Sequence, residues 1–153
     1  MTKHKRYNVK KAINKVKNMA KIEWTSDLSV GVGIVDEQHK RLFELIDDFY
    51  ANIQSKSPAE RMNVLIKALK DYSVKHFTEE EALMRKAEYG EYDIHKQQHD
   101  AFIAKVEDFA VRYNAGKLIL TVEITNFIKD WLIKHISIMD KKYIPAFSAK
   151  GIR

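Results

Sequence analysis

The sequence contains no cysteine, and this absence narrows the chemistry that the chain can carry. It excludes disulfides, thiolate metal sites, iron–sulfur clusters and cysteine nucleophiles. Any bound metal must therefore be held by nitrogen and oxygen atoms from histidine, aspartate and glutamate side chains.

Glycine and proline are scarce, with five and two residues among 153, while lysine, glutamate, leucine, isoleucine and alanine are common. Few helix breakers and little two-residue alternation favour an all-α fold, and the length suits one compact domain. No apolar run is long enough to span a membrane, and the first residues are too polar for a signal peptide. We therefore expect a soluble, cytoplasmic protein without a transmembrane segment.

Acidic residues are absent from residues 1–22, which hold eight of the 27 lysines and arginines. Residues 23–153 carry the other 19 basic groups and all 21 acidic groups, so their net charge is −2. The net charge of +6 could suggest nucleic-acid binding, but this distribution argues against it for the domain. Apolar residues at helical spacing between the lysines predict a basic amphipathic helix in this N-terminal arm: Val9, Ile13, Val16 and Ala20. The arm could contact an anionic surface or a protein partner, or form a solvated extension.

The first two helices of the domain are predicted from caps and apolar stripes. Residues 23–35 have the composition of a loop, and Asp36 is predicted to cap a helix that ends near Ser55. A capping box formed by Ser57 and Glu60 predicts a second helix that begins at Pro58 and ends near Lys86.

A third helix is predicted after Gly90, with a stop at Asn114, and a fourth is predicted from about Leu118 to Ile138, with Pro145 beyond its end. Four amphipathic helices with short connections predict an up-down-up-down four-helix bundle, in which facing side chains can build a central site.

Five of the six histidines lie within these predicted helices, at least one on each: His39, His76, His95, His99 and His135. His95 and His99 are four residues apart, so they share a helix face, and His76 and Glu80 have the same spacing. His135 precedes Asp140 by five residues. Each spacing alone is a weak signal, but together they indicate a metal site in the bundle core. His4, in the charged arm, has no partner at ligand spacing.

Four segments carry a specific resemblance: D-E-Q-H from residue 36, H-F-T-E-E from residue 76, H-K-Q-Q-H from residue 95 and W-L-I-K-H-I-S-I-M-D from residue 131. This pattern resembles the hemerythrin family, and its bacterial branch in particular, over about residues 22–147. Every ligand position of the family pattern is occupied in the expected order.

The resemblance implies two non-haem iron ions joined by an oxo or hydroxo bridge. By the same resemblance, His95, His99 and His135 bind one iron, His39 and His76 bind the other, and Glu80 and Asp140 bridge both. The iron with two histidines keeps an open position for dioxygen, within an apolar pocket formed by Phe77, Trp131, Leu132 and Ile136.

The implied function is reversible dioxygen binding for storage, delivery or sensing, with no enzymatic role beyond slow oxidase or peroxidase side reactions. A di-iron oxidoreductase acting on peroxide or nitric oxide is one alternative, and an interaction module that senses iron or oxygen is another. Zinc or another divalent ion could also occupy such a site. Ferritin-like oxidases are disfavoured because none of the five histidines has glutamate three residues before it. The oligomeric state is not indicated.

Overall fold

The computed structural model describes residues 22–51, 58–116 and 121–153, and the regular structure within these ranges is entirely helical. The predicted all-α fold is therefore confirmed. The elements are a 3₁₀ turn Ser26–Leu28, helices α1 Gly33–Ala51, α2 Pro58–Lys86, α3 Tyr92–Asn114 and α4 Thr121–Lys134, a π-helical segment His135–Asp140, and helix α5 Lys141–Ala149. None of the helices in these ranges is long and apolar enough to cross a membrane.

The helices form a four-helix bundle in which α4, the π segment and α5 together make the fourth member. Helix α2 packs against both α1 and α3, and it also contacts α5. One large apolar cluster fills the bundle, and a smaller one lies around Met84 and Tyr143. Along α2, Glu80 lies between Phe77 of the large cluster and Met84 of the small one. Polar groups near Glu80 therefore lie between two apolar clusters.

The prediction that Asp36 caps the first helix is wrong, because α1 begins three residues earlier, at Gly33. The carboxylate of Asp36 instead accepts hydrogen bonds from the Ser29 hydroxyl, at 2.5 Å, and from the Val30 amide, at 2.9 Å. A carboxylate in the first turn is favourable at the positive end of a helix, and here it also closes the preceding loop. Residues 33–35, predicted as loop, are therefore helical.

The fourth helix also differs from prediction, since Pro145 lies inside α5 and not beyond the helical region. A proline within a helix costs about 3 kcal/mol, because it removes a backbone donor and crowds the preceding turn. Tyr143 and Phe147 flank this proline, are both buried, and stack with ring centroids 4.1 Å apart. Burying two large aromatic side chains contributes roughly 1.5–3 kcal/mol each, which offsets the proline.

The other predicted boundaries agree where they can be compared. Helix α2 begins at Pro58 and ends at Lys86, and α3 ends at Asn114. The predicted arm, except Ile22, lies outside the described residues, as do Ser55, Ser57 and Leu118.

Candidate metal centre

All seven predicted ligands lie together in the middle of the bundle. Helix α1 supplies His39, α2 supplies His76 and Glu80, α3 supplies His95 and His99, and the π segment supplies His135 and Asp140. Each of the seven is at most 4% exposed, although histidine and carboxylate side chains are seldom buried without partners. The site is therefore a polar cluster enclosed by four helices.

Three imidazoles form one half of this centre. The Nε2 atom of His135 lies 3.1 Å from the Nε2 atoms of both His95 and His99. With Glu80, these histidines form a group whose donor atoms all lie within 4.8 Å of one another and could hold a metal ion. Two neutral imidazoles whose Nε2 lone pairs face each other repel, whereas a cation between them would turn the same arrangement into an attraction.

His39 and His76 form the other half, and they make a second group with Glu80 that could also hold a metal ion. The Nε2 atom of His76 lies 3.9 Å from Glu80 Oε2, and the Nε2 atom of His39 lies 3.2 Å from Asp140 Oδ2. Glu80 belongs to both groups, so the two halves share a carboxylate.

Asp140 lies between the two halves. Its Oδ1 atom is 3.0 Å from His135 Nε2 and 3.1 Å from His95 Nε2, while its Oδ2 atom faces His39. The π-helical backbone explains how a histidine and an aspartate five residues apart can share one face. An α-helix places such residues about 140° apart, whereas the wider π turn brings them onto the same face.

The donor atoms converge on the interior of the centre and make few hydrogen bonds with one another. Within the described residues, the buried atoms His39 Nε2, Glu80 Oε2 and both Asp140 carboxylate oxygens have no hydrogen-bond partner. Buried polar atoms without partners are costly, and carboxylates even more so. Nitrogen and oxygen atoms in this arrangement fit a pair of divalent or trivalent transition-metal ions such as iron.

The charges of the centre are strongly coupled. Burial lowers the pKa of His76 to about 4, so its imidazole is neutral and able to bind metal at pH 7. Burial also acts to lower the pKa of His95, but the nearby carboxylates of Asp140 and Glu80 outweigh it and raise that pKa to about 9. The pKa of His39 is raised in the same way: burial opposes the shift, and Asp140 outweighs it. Metal binding at His95 at pH 7 must therefore displace a proton.

Three residues that sequence reasoning missed make hydrogen bonds to the ligands. Gln38 Oε1 lies 2.7 Å from His76 Nδ1, and Glu81 Oε1 lies 2.9 Å from His99 Nδ1. The Tyr143 hydroxyl donates to Glu80 Oε1 at 2.7 Å. Adjacency to a ligand is a signal for Gln38 and Glu81, because each neighbours a predicted ligand in sequence, but adjacency alone does not specify a contact.

Two of the four predicted pocket residues, Phe77 and Trp131, stack on histidines of the centre. Phe77 stacks on His99 with ring centroids 3.9 Å apart, and Trp131 stacks on His135 at 4.3 Å. Phe77 also lies 5.5 Å from the ring of His76, so it borders both halves. Leu132 and Ile136 are buried in the large apolar cluster that contains Phe77. Leu42 belongs to the same cluster. It lies three residues after His39, so helical spacing from a ligand could have identified it as a further candidate pocket residue.

Comparisons with known proteins agree with this geometry. The Hemerythrin HHE cation binding domain matches residues 30–147. The chain is 33% identical to a bacteriohemerythrin of Methylococcus capsulatus, over 86% of this chain and 100% of that protein. It is 37% identical to a bacteriohemerythrin of Pseudomonas aeruginosa, over 84% of this chain and 82% of that one.

A solved structure agrees as well. The crystal structure of a wild-type hemerythrin superimposes with a TM-score of 0.76 at 32% identity, covering 84% of this chain and 99% of that chain. The family match covers most of the chain and includes all seven residues of the metal centre. The chain belongs to the hemerythrin family.

Proposed function

We propose that this protein binds dioxygen reversibly at a non-haem di-iron centre. The observation that carries the proposal is the convergence of five buried histidines and two buried carboxylates, whose inward-facing oxygens lack hydrogen-bond partners among the described residues. In this proposal His95, His99 and His135 hold one iron, while His39 and His76 hold the other. Members of the hemerythrin family bind dioxygen and are not enzymes, which agrees with this assignment.

The contacts of the carboxylates support bridging roles for both. Asp140 directs one oxygen toward the half with three histidines and the other toward His39. Glu80 directs Oε2 toward both halves, at 3.1 Å from His99 and 3.9 Å from His76. A carboxylate that faces two cations at once compensates more positive charge than one that faces a single cation, which suits a buried site.

The unequal number of histidines supports a single open position. When bound, two ferrous ions supply together the two electrons that dioxygen takes up and later returns. The half with only His39 and His76 has one protein ligand fewer, so that half is the proposed binding position. Neutral imidazoles donate less negative charge than carboxylates, and a centre rich in histidine therefore favours binding dioxygen over activating it.

The apolar wall supports reversibility. Phe77, Leu132 and Ile136 are each at most 4% exposed, and the half-buried Trp131 covers His135. Such a wall keeps water and protons away from the open position, so that bound dioxygen leaves unchanged. We propose that these four residues form the dioxygen pocket, together with Leu42.

An anaerobic metal assay followed by visible spectroscopy tests the proposal. We expect two irons per chain, a colourless reduced protein, and a visible band that appears in air and disappears when dioxygen is removed. His39→Ala and His76→Ala should abolish the band. His4→Ala is a matched control, since His4 lies outside the predicted ligand set, and it should retain both irons and the band.

Other results would redirect the assignment. A single, irreversible conversion to the ferric form in air would favour a di-iron oxidoreductase acting on peroxide or nitric oxide. Purification with zinc, and no iron uptake, would overturn the proposal.

A further inference from the structure

The two halves of the centre differ in the groups that contact their histidines from outside. His99, in the half with three histidines, directs its Nδ1 atom to a carboxylate oxygen of Glu81 at 2.9 Å. His76, in the other half, directs its Nδ1 atom to the amide oxygen of Gln38 at 2.7 Å. In both rings Nε2 faces the centre, so Nδ1 carries the proton and donates it outward.

The orientation of the Gln38 amide is fixed by a second contact. The Nε2 atom of Gln38 donates a hydrogen bond to the Glu79 carboxylate, which can only accept. The amide oxygen is therefore the atom that faces His76, and it requires a proton on His76 Nδ1. The Tyr72 hydroxyl also donates to the backbone oxygen of Gln38 at 2.7 Å, which holds this residue in place. On the Nδ1 side of the ring, a carboxylate thus acts on His76 through an intervening amide.

Glu81 acts directly on its histidine. The Glu81 side chain is only 13% exposed and that of His99 is fully buried, so water screens their interaction weakly. The neighbouring ammonium of Lys96 is held by Asp100, at 2.7 and 2.8 Å from its two oxygens. A carboxylate that accepts the Nδ1 proton makes the imidazole a stronger electron donor than a neutral amide does.

We propose that Glu81 and the Gln38–Glu79 pair give the two metal positions unequal donor strength. The position held by His95, His99 and His135 is made the stronger site for cations of higher charge. The position held by His39 and His76 is kept weaker, so that an iron held there would regain its electron readily. Glu81 and Gln38 are positioning residues that act through the histidines, and the inference rests on the proposed di-iron function.

Two variants change this asymmetry in opposite directions. Glu81→Gln replaces the carboxylate beside His99 by a neutral amide. The double change Gln38→Glu with Glu79→Gln moves the carboxylate next to His76 without altering the net charge, and it preserves an amide-to-carboxylate hydrogen bond. Glu107→Gln is a matched control for Glu81→Gln, since Glu107 is exposed, also on a bundle helix, and its ion-pair partner is Lys70 at 3.9 Å.

Zinc binding tests the proposal without iron or dioxygen. Glu81→Gln should weaken the tighter of two zinc sites roughly 10- to 100-fold, whereas the double variant should tighten the weaker one. In the iron-loaded protein, the reduction potential should rise in Glu81→Gln and fall in the double variant. The proposal is overturned if Glu81→Gln shifts zinc affinity no more than Glu107→Gln, or if the double variant does not strengthen binding.

Nuclear magnetic resonance of the wild-type zinc protein gives a test that needs no variant. The Nδ1 proton of His99 should resonate further downfield than that of His76, because a carboxylate is the stronger acceptor. Equal shifts would also overturn the proposal. If the zinc and resonance results hold while the iron protein fails to bind dioxygen reversibly, the proposed function fails and the donor asymmetry stands.

Discussion

His135 Nε2 and Asp140 Oδ1 lie 3.0 Å apart, although these residues are five positions apart in sequence. The contact depends on the π-helical backbone between them, whose wider turn sets both side chains on one face. π-Helical turns are rare, because their backbone hydrogen bonds have less favourable geometry and another interaction must offset that cost. They recur at functional sites.

Deletion of Ser137 should preserve the centre. Ser137 is exposed and lies inside the π segment, so its loss removes the extra residue of the wide turn. The segment can then close into an α-helix, in which His135 and Asp140 are separated by four positions and stay on one face. We expect metal content to remain at two ions per chain. Ser137→Ala is the control and should also bind two ions; loss of metal from the deletion variant would contradict the π-helical explanation.

The metal-free protein should be most stable near pH 6.5. The pKa of His95 is raised to about 9 in the folded protein, so its contribution is complete below about pH 6.5 and is lost as the pH rises toward 9. The pKa of His76 is lowered to about 4, so the unfolded chain binds the extra proton first as the pH falls from 6.5 toward 4. Stability should therefore decrease in both directions, by a few kcal/mol.

Denaturant unfolding of the metal-free protein at pH 5, 6.5 and 9 measures this dependence. The zinc-loaded protein provides the comparison, because metal-bound imidazoles carry no proton on the ligating nitrogen and the fall above pH 6.5 should disappear. A stability that rises steadily from pH 5 to 9 in the metal-free protein would show that the buried carboxylates do not hold protons on His95.

Replacement of Trp131 should shorten the life of the oxygenated form. The indole ring lies 4.3 Å from the His135 ring in a nearly parallel stack, and Trp131→Ala opens a path for water beside that ligand. We expect conversion to the ferric form to accelerate roughly tenfold, equivalent to about 1.4 kcal/mol in the barrier. Trp131→Phe should change the rate much less. The decay of the visible band in air measures the rate of conversion in each protein. Equal rates in the wild type and both variants would show that Trp131 does not protect the bound dioxygen.

The basic arm should bind anionic surfaces through its charge. Each lysine or arginine near an anionic membrane contributes about 1 kcal/mol, and this attraction weakens as salt rises. We expect the chain to sediment with vesicles that contain anionic lipid at low salt, and to be released at high salt. Deletion of residues 1–18 should abolish sedimentation, and neutral vesicles serve as the control. Vesicle binding that persists after the deletion would show that another part of the chain contacts the lipid.

The bundle and the cluster of helical histidines were predicted from spacing, whereas the full set of seven ligands was implied by the resemblance to the hemerythrin family. Apolar residues at helical intervals indicate the buried face of each helix, and His95 and His99 share a face in any α-helix. The start of α2 was predicted at Pro58 because proline is favourable in the first turn of a helix. These signals are local, and tertiary packing does not override them here.

The structure differs from the sequence-based predictions where tertiary packing outweighs the local preference of the chain. Pro145 is a strong local stop signal, but the buried aromatic pair that flanks it holds the chain helical. The π segment could not be recognised from local pattern, because the five-residue spacing of His135 and Asp140 gains meaning only once both must reach one centre. Gln38 and Glu81 gave only the weak signal of adjacency to a predicted ligand, since each is otherwise a polar residue on a largely polar helix turn.

The contact between His39 and Asp140 joins the first and last members of the bundle, since Nε2 and Oδ2 lie 3.2 Å apart. A metal held there ties together two points about a hundred residues apart, and a cross-link over a loop of that length removes roughly 4.7 kcal/mol of chain entropy from the unfolded state in the simplest model. The metal centre then acts as a cross-link between distant parts of the chain, in addition to its proposed role in binding dioxygen. Metal dissociation should consequently govern the rate of unfolding. Chelators should accelerate unfolding at temperatures where the metal-loaded bundle stays folded.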